Sequence, residues 1–320
     1  MSVGAKRRVA LVTGASAGLG AAYCDELARR GYDVVLVARD AQRLQELGER
    51  LVRDYRVAVE VLAADLADPS SCARVERRLA DPDRPIDLLV NNAGFTTNQS
   101  FIGGDLVAEQ AMLDVLVRAV LRLTHAGLPP MVARGSGAVV VVSSVAAWIP
   151  GGTYSAAKAW TSAFCASLQT ELVGTGVRVL AVHPGLIRTE FHSRAGIDTA
   201  PLPGLLWLSA PAVVGASLDD LARVRSTSTP SRRYRVLGLF ARQAPAGLVR
   251  RSLAVGGHRS QRWAEPGSDP VAAARRSAGV HAEPEPGLWG RPRHRWPELG
   301  LRRVPHPWRF RLPIGCDRSG

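Results

Sequence analysis

Val9–Gly20 reads VALVTGASAGLG, and this stretch decides the fold. A short run of Val, Ala and Leu ends in a glycine-rich turn, and the turn opens a helical pattern. Val9–Val12 reads as a first strand. Gly14 permits a tight turn after it, while Gly18 and Gly20 let backbone approach a ligand and let the helix pack on the sheet. Amide N–H groups at the start of that helix would face the ligand, which points to a pyrophosphate. The spacing is G-x3-G-x-G rather than GxGxxG.

Outward from this turn, the same alternation continues. Val34–Val37, Val57–Leu62, Leu88–Val90, Ala138–Val142 and Val177–Val182 are short and rich in Val and Leu. They lack a polar alternation, so they suit strands buried on both faces of a parallel sheet. Helical patterns occupy 19–30, 41–54, 69–80, 105–134 and 153–173, and Gly31, Gly174 and Gly176 punctuate helix ends. Strand–helix alternation predicts a Rossmann-like α/β domain, a doubly wound parallel sheet with its ligand at the carboxyl ends of the strands.

The net charge of +13 is uneven. Residues 251–320 hold 13 Arg and 6 Asp+Glu, and they carry four of the seven Trp and nine of the 21 Pro. Periodicity stops there, so the reading is one domain over 1–250 and a basic, Arg/Pro/Gly-rich tail over 251–320 that is irregular or disordered. Arg and Trp in such a tail could contact nucleic acid, but no nucleic-acid partner is expected. No run of about 18 apolar residues occurs, so no membrane span is expected. The apolar run after the basic N-terminus is too short for a signal core, and the expected location is cytoplasmic. Cys24, Cys72, Cys165 and Cys316 have no metal-ligand spacing and read as free buried thiols; no metal is expected.

Two positions bear on the nucleotide. Asp65-Leu66 follows the third strand, where a carboxylate can accept from an adenine amino group. The second strand ends VLVARD, which puts Arg39 where an adenosine ribose would lie. Arginine there suits a 2′-phosphate, so NADP(H) is preferred, with NAD(H) possible.

YSAAK puts Tyr154 and Lys158 at i and i+4 on one helix face. A phenol near an ammonium is expected to titrate below its ordinary value of about 10, which would suit general acid/base work. Ser143 and Ser144 end the strand before it, and a serine hydroxyl can hold a substrate oxygen. The chain has only two lysines, Lys6 and Lys158, against 39 arginines. A lysine retained in so Arg-biased a chain is one the chemistry requires.

Together these residues resemble the short-chain dehydrogenase/reductase family, in its compact single-domain branch. The resemblance covers about residues 7–250 and rests on TGASAGLG, Asp65, NNAG (Asn91–Gly94), Ser144, YSAAK and HPGLIRT (His183–Thr189). It implies cofactor contacts from Thr13, Gly14, Ser16, Gly18, Leu19, Gly20, Arg39, Asp65 and Leu66, and from Asn92, Ala93 and Gly94. Pro184, Gly185 and Ile187 would flank the nicotinamide, and Thr189 would hold its carboxamide. Tyr154 would be the proton donor, Lys158 would bind the nicotinamide ribose and lower the tyrosine pKa, and Ser144 would position the carbonyl. The implied reaction is hydride transfer between nicotinamide C4 and a carbonyl or secondary alcohol. Family members commonly associate through the helices flanking the serine strand, so a homodimer or homotetramer is expected. Trp160, Phe164 and Leu168 form an apolar stripe suited to this.

Two departures from the family pattern stand out. The segment between Ser144 and Tyr154, VAAWIPGGT, is shorter than usual. Leu116 stands where the family usually has an asparagine assigned to a water-mediated proton relay, and leucine cannot hydrogen-bond. A cofactor-binding protein of low or no turnover is therefore the competing reading. His183 reads as a structural histidine. Phe95, Trp148, Ile149, Leu205, Leu206 and Trp207 favour a small lipophilic carbonyl or alcohol as substrate.

Overall fold

Asp40, Asp68 and Asp105 start three helices, and the first helix starts without such help. In the computed structural model, which describes residues 7–191 and 203–243, each of these carboxylates accepts from an amide in the first turn of α2 (Ala41–Tyr55), α3 (Pro69–Ala80) or α4 (Leu106–Leu113). Such caps satisfy the orphan donors of a helix start. Helix α1 (Gly18–Arg29) follows Ala17 and has no side-chain cap. Its first amides lie in the glycine turn after strand β1 (Val9–Thr13).

Six longer strands match the Val/Leu runs: β1, β2 (Asp33–Ala38), β3 (Val59–Ala63), β4 (Leu88–Asn91), β5 (Gly137–Val142) and β6 (Val177–Val182). With β7 (Thr227–Ser228) they form one parallel sheet in the order β3-β2-β1-β4-β5-β6-β7. The expected Rossmann-like architecture is thus the observed one. The strand order reverses between β1 and β4, which opens a crevice at their carboxyl ends.

Both faces of the sheet are covered. Leu11, Val35, Leu89, Val139 and Val141 pack with Leu79, Leu123 and Cys165 on one side. Val12, Leu36, Val90, Val140 and Val182 pack with Leu27, Leu51 and Val214 on the other. Strands buried on two faces have no solvent face to mark with polar residues, which explains their uniform composition. Cys24, Cys72 and Cys165 are buried free thiols in these layers.

The remaining helices are α5 (Val120–Ala133), α6 (Gly152–Glu171), α7 (Ala210–Ala222) and α8 (Arg232–Gln243). The stretch expected as one helix over 105–134 is α4 and α5 joined by a π-helical turn, Asp114–Ala119. Such turns interrupt a helix where its ladder is redirected, often beside a functional site. No helix among the described residues is long and apolar enough to cross a membrane. The described residues all fall in a unit spanning Met1–Pro270. The tail expected over 251–320 lies outside them.

Candidate active site

The glycine turn and the NNAG segment are built against each other. Thr13 is buried, and its hydroxyl donates to the Val90 carbonyl and accepts from the Asn92 and Ala93 amides at 3.0 Å each. The Asn92 amide group donates back to the Thr13 carbonyl at 2.8 Å. The Thr13 side chain therefore ties the ends of β1 and β4 together from behind. Gly14 has φ +66°, and a Cβ there would stand 2.9 Å from Ala93 Cα. A Cβ on Gly20 would stand 2.0 Å from the Gly14 carbonyl oxygen, so the helix start can lie on the turn only without a side chain. Gly18, with φ +56°, lies under Thr189: a Cβ there would be 3.2 Å from the Thr189 Cβ. Residues far apart in sequence thus share one cleft.

At the other end of the crevice, Asp65 is half-buried and accepts from the Ala67 amide at 2.9 Å; Leu66 is buried beside it. Arg39 is exposed at the end of β2.

Ser143 and Ser144 point to different jobs. Ser143 is buried, and its hydroxyl donates to the Lys158 carbonyl at 2.8 Å. Ser144 caps the turn Val145–Trp148 and hydrogen-bonds the Tyr154 hydroxyl. Lys158 is buried, and its ammonium donates to the Val142 carbonyl at 2.7 Å while lying 5.8 Å from the Tyr154 ring centroid. Leu116, on the π-helical turn, packs with Met112, Ala157, Phe95 and Tyr154. A Cβ on Gly94 would stand 2.8 Å from a Leu116 methyl and 3.7 Å from Lys158 Nζ. Both side chains therefore close on Gly94.

The tyrosine pKa is raised rather than lowered as expected. Burial pushes Tyr154 up to about 12, with the Ser144 hydrogen bond only partly opposing it. Burial likewise pulls Lys158 down to about 8. Desolvation is the leading cause for both groups, because a charge taken out of water loses its hydration.

The apolar residues read as a substrate pocket divide. Phe95 packs on the same cluster as Tyr154, made by Met112, Leu116 and Ala157. Trp148 stacks on His183 at 5.2 Å, and Trp207 lies under the Arg188 guanidinium. Leu205 is exposed. His183 is buried with Nε2 2.9 Å from the Ser162 hydroxyl.

Glu109, which the sequence did not single out, also shapes the site. This buried carboxylate accepts from the Thr97 hydroxyl at 2.8 Å, from the Gln99 amide at 2.9 Å and from the Thr153 hydroxyl. It joins the segment after β4 to the residue preceding Tyr154. Burial raises its pKa, but these hydrogen bonds outweigh it and the net shift is downward. A depressed carboxylate contributes stability above its unfolded pKa and loses it as pH falls through the folded value. Glu109→Ala should cost about 2–4 kcal/mol, because three donors lose their acceptor. Chemical denaturation at pH 7 checks this, and Glu109→Gln should recover most of the loss. A loss below about 1 kcal/mol for alanine would show that the network relaxes without an acceptor.

Residues 8–199 match the short chain dehydrogenase family. Sulfoacetaldehyde reductase 2 of Chromohalobacter salexigens is 38% identical over 198 residues, which cover 60% of this chain and 78% of that protein. Among solved structures, a short-chain dehydrogenase from Sphingobium yanoikuyae in complex with NADPH is 34% identical, with a TM-score of 0.67 over 82% of this chain and 99% of that one. The bulky-bulky ketone specific alcohol dehydrogenase from Comamonas testosteroni is 29% identical, with a TM-score of 0.64 over 81% of this chain and 96% of that one.

Proposed function

The chain belongs to the short-chain dehydrogenase/reductase family of oxidoreductases acting on CH–OH or C=O groups, and from that premise we propose that it moves hydride between the nicotinamide of NADP(H) and a small lipophilic carbonyl or secondary alcohol. The observation that carries this reading is the convergence of Ser144, Tyr154 and Lys158 beside a glycine turn whose helix start is uncapped. The residues fit a dinucleotide. Gly14, Gly18 and Gly20 leave backbone where side chains would block it, and the free amides of α1 suit a pyrophosphate. Thr13 supports that turn from behind, and Ser16 and Leu19 lie within it.

Asp65 and Leu66 would border the adenine, with Asn92, Ala93 and Gly94 along the cleft. Pro184, Gly185, Ile187 and Thr189 would border the nicotinamide. When bound, the nicotinamide supplies the hydride. Tyr154 gives its proton to the substrate oxygen in reduction and takes it in oxidation, Ser144 holds that oxygen, and Lys158 orients the ribose. A carbonyl and alcohol panel, followed by nicotinamide absorbance with both cofactors, tests the proposal. No turnover with either cofactor would remove it.

Preference for NADP(H) rests on Arg39, which stands exposed at the strand end with no hydrogen bond or ion pair among the described residues. A charge-assisted contact with a phosphate contributes about 1.5–3 kcal/mol. Arg39→Ala should therefore weaken NADPH binding at least about tenfold and leave NADH nearly unchanged. Titration of both cofactors reads this out, and equal losses would reject the assignment.

Leu116 favours a second reading, a cofactor binder with low or no turnover. Its side chain is buried with Met112 and Ala157, approaches Gly94 as Lys158 does, and offers no hydrogen bond. Assembly as a homodimer or homotetramer is part of the first reading. Trp160 and Phe164 stack at 4.9 Å and, with Leu168, are only half-buried against their own core.

A further inference from the structure

We infer that Tyr234, on α8, is a positioning residue for the nicotinamide end of the cleft. The inference rests on the proposal that Pro184–Thr189 border the nicotinamide.

Tyr234 is 5% exposed, although it lies on a helix whose Val236, Leu237, Leu239 and Phe240 are exposed. Its hydroxyl accepts from the Leu186 amide at 3.1 Å and donates to the Leu206 carbonyl at 2.9 Å. Its ring covers Gly185: a Cβ there would stand 2.0 Å from a ring carbon. The same turn is also held, along the same edge, by a short parallel pairing. The Leu208 amide donates to the Leu186 carbonyl at 2.8 Å, and the Arg188 amide donates to the Leu208 carbonyl at 3.1 Å.

The phenol therefore completes this ladder, supplying the acceptor and donor that another strand residue would have supplied. One turn further along α8, Gly238 lies against Trp148, which stacks on His183. Helix α8 thus grips both sides of Pro184. An aromatic ring on a glycine fixes the height of the turn, and two hydrogen bonds to backbone fix its register. Ile187 and Thr189 follow within three and five residues of Pro184, so their places depend on that register.

The test uses the full chain and two ligands. NADPH reaches both ends of the cleft; 2′,5′-ADP reaches only the adenosine end. Tyr234→Phe keeps the ring and removes both hydrogen bonds. It should weaken NADPH about tenfold and change 2′,5′-ADP less than about twofold, with both ligands titrated calorimetrically. A general loss of structure would lower both affinities together, so equal losses overturn the inference, as does an unchanged NADPH affinity. Should Tyr234→Phe not fold, Gly185→Ala disturbs the same seat from the turn and should give the same selective loss. Failure of both variants to fold would mean that Tyr234 serves the fold alone, which also overturns it. Wild-type protein that binds 2′,5′-ADP and NADPH while Tyr234→Phe behaves identically rejects this inference and leaves the cofactor reading standing. Wild-type protein that binds neither ligand removes both.

Discussion

Tyr154→Phe is expected to lower turnover by at least about 10²–10⁴-fold, the usual contribution of a positioned proton donor, while cofactor affinity stays within about twofold. The phenol is the only acidic proton that the described residues place on Ser144. Burial pushes its pKa up to about 12, so the oxygen is protonated at neutral pH and the proton is in place when an alkoxide develops on the substrate. Removing one oxygen leaves the ring packed on the cluster of Met112, Leu116 and Ala157, so the cleft keeps its shape and the loss falls on the chemical step.

The same experiment in a Leu116→Asn background separates the two readings of this chain. Leu116 is 1% exposed, and burying an amide there costs about 1–3 kcal/mol unless it finds a partner. Melting must therefore be checked first. If wild-type protein binds NADPH without turning over any carbonyl or alcohol, and Leu116→Asn does turn over, the wild type is a silent binder. If an active wild type is unchanged by Leu116→Asn, the relay does not depend on that side chain. In every active background Tyr154→Phe should be inactive; residual activity above about a tenth would place the proton elsewhere.

What the sequence disclosed and what it hid follow from one physical division. The runs around Val34–Val37 and Val177–Val182 announced strands because burial on two faces demands continuous apolar residues. The glycine turn announced itself because backbone contact excludes every other residue at Gly20, where a Cβ would stand 2.0 Å from a carbonyl oxygen. Tyr154 and Lys158 were legible through i, i+4 spacing on one helix.

By contrast, β7 is two residues, Thr227–Ser228, too short to carry any period. Helix α7 lies where Gly, Pro and Ser are frequent, and the packing of α7 and α8 is set by tertiary contacts. Glu109 and Tyr234 matter through partners 10 to 48 residues away, a separation that no local pattern encodes. The Asp at a helix start two or three residues before its amide was visible in principle; a helical glutamate holding threonines of two separate segments, Thr97 and Thr153, was not. The direction of the Tyr154 shift was missed for a related reason. The motif shows which charge is near but not how dry the site is, and here dryness decides.

That dryness makes Lys158 the place where stability and activity should part. Lys158→Met is expected to cut turnover by about 10²-fold or more while leaving the melting temperature at pH 7 unchanged or higher. Its ammonium is buried, with a single carbonyl partner among the described residues, Val142. Burial lowers its pKa to about 8, against about 10.4 in an unfolded chain. A shift of that size corresponds to a cost on the order of 3 kcal/mol for carrying the charge at pH 7. Methionine keeps the length and most of the packing without the charge.

The sign can be tested by pH. Between about pH 8 and 10 the unfolded chain binds the lysine proton and the folded chain does not, so this group's contribution to stability rises with pH and is flat below 8. Buried Cys24, Cys72 and Cys165 work the other way. Burial raises their pKa values, so they hold their protons in the folded state and their contribution falls over the same range. The total slope is therefore uninformative, but the difference between wild type and Lys158→Met cancels the thiols. That difference should favour the methionine variant at pH 7 and narrow steadily toward pH 10, as read by denaturant melts at each pH. A difference that stays constant with pH would mean that the folded chain does not strain this ammonium, and the lysine would then cost the fold nothing for its chemistry.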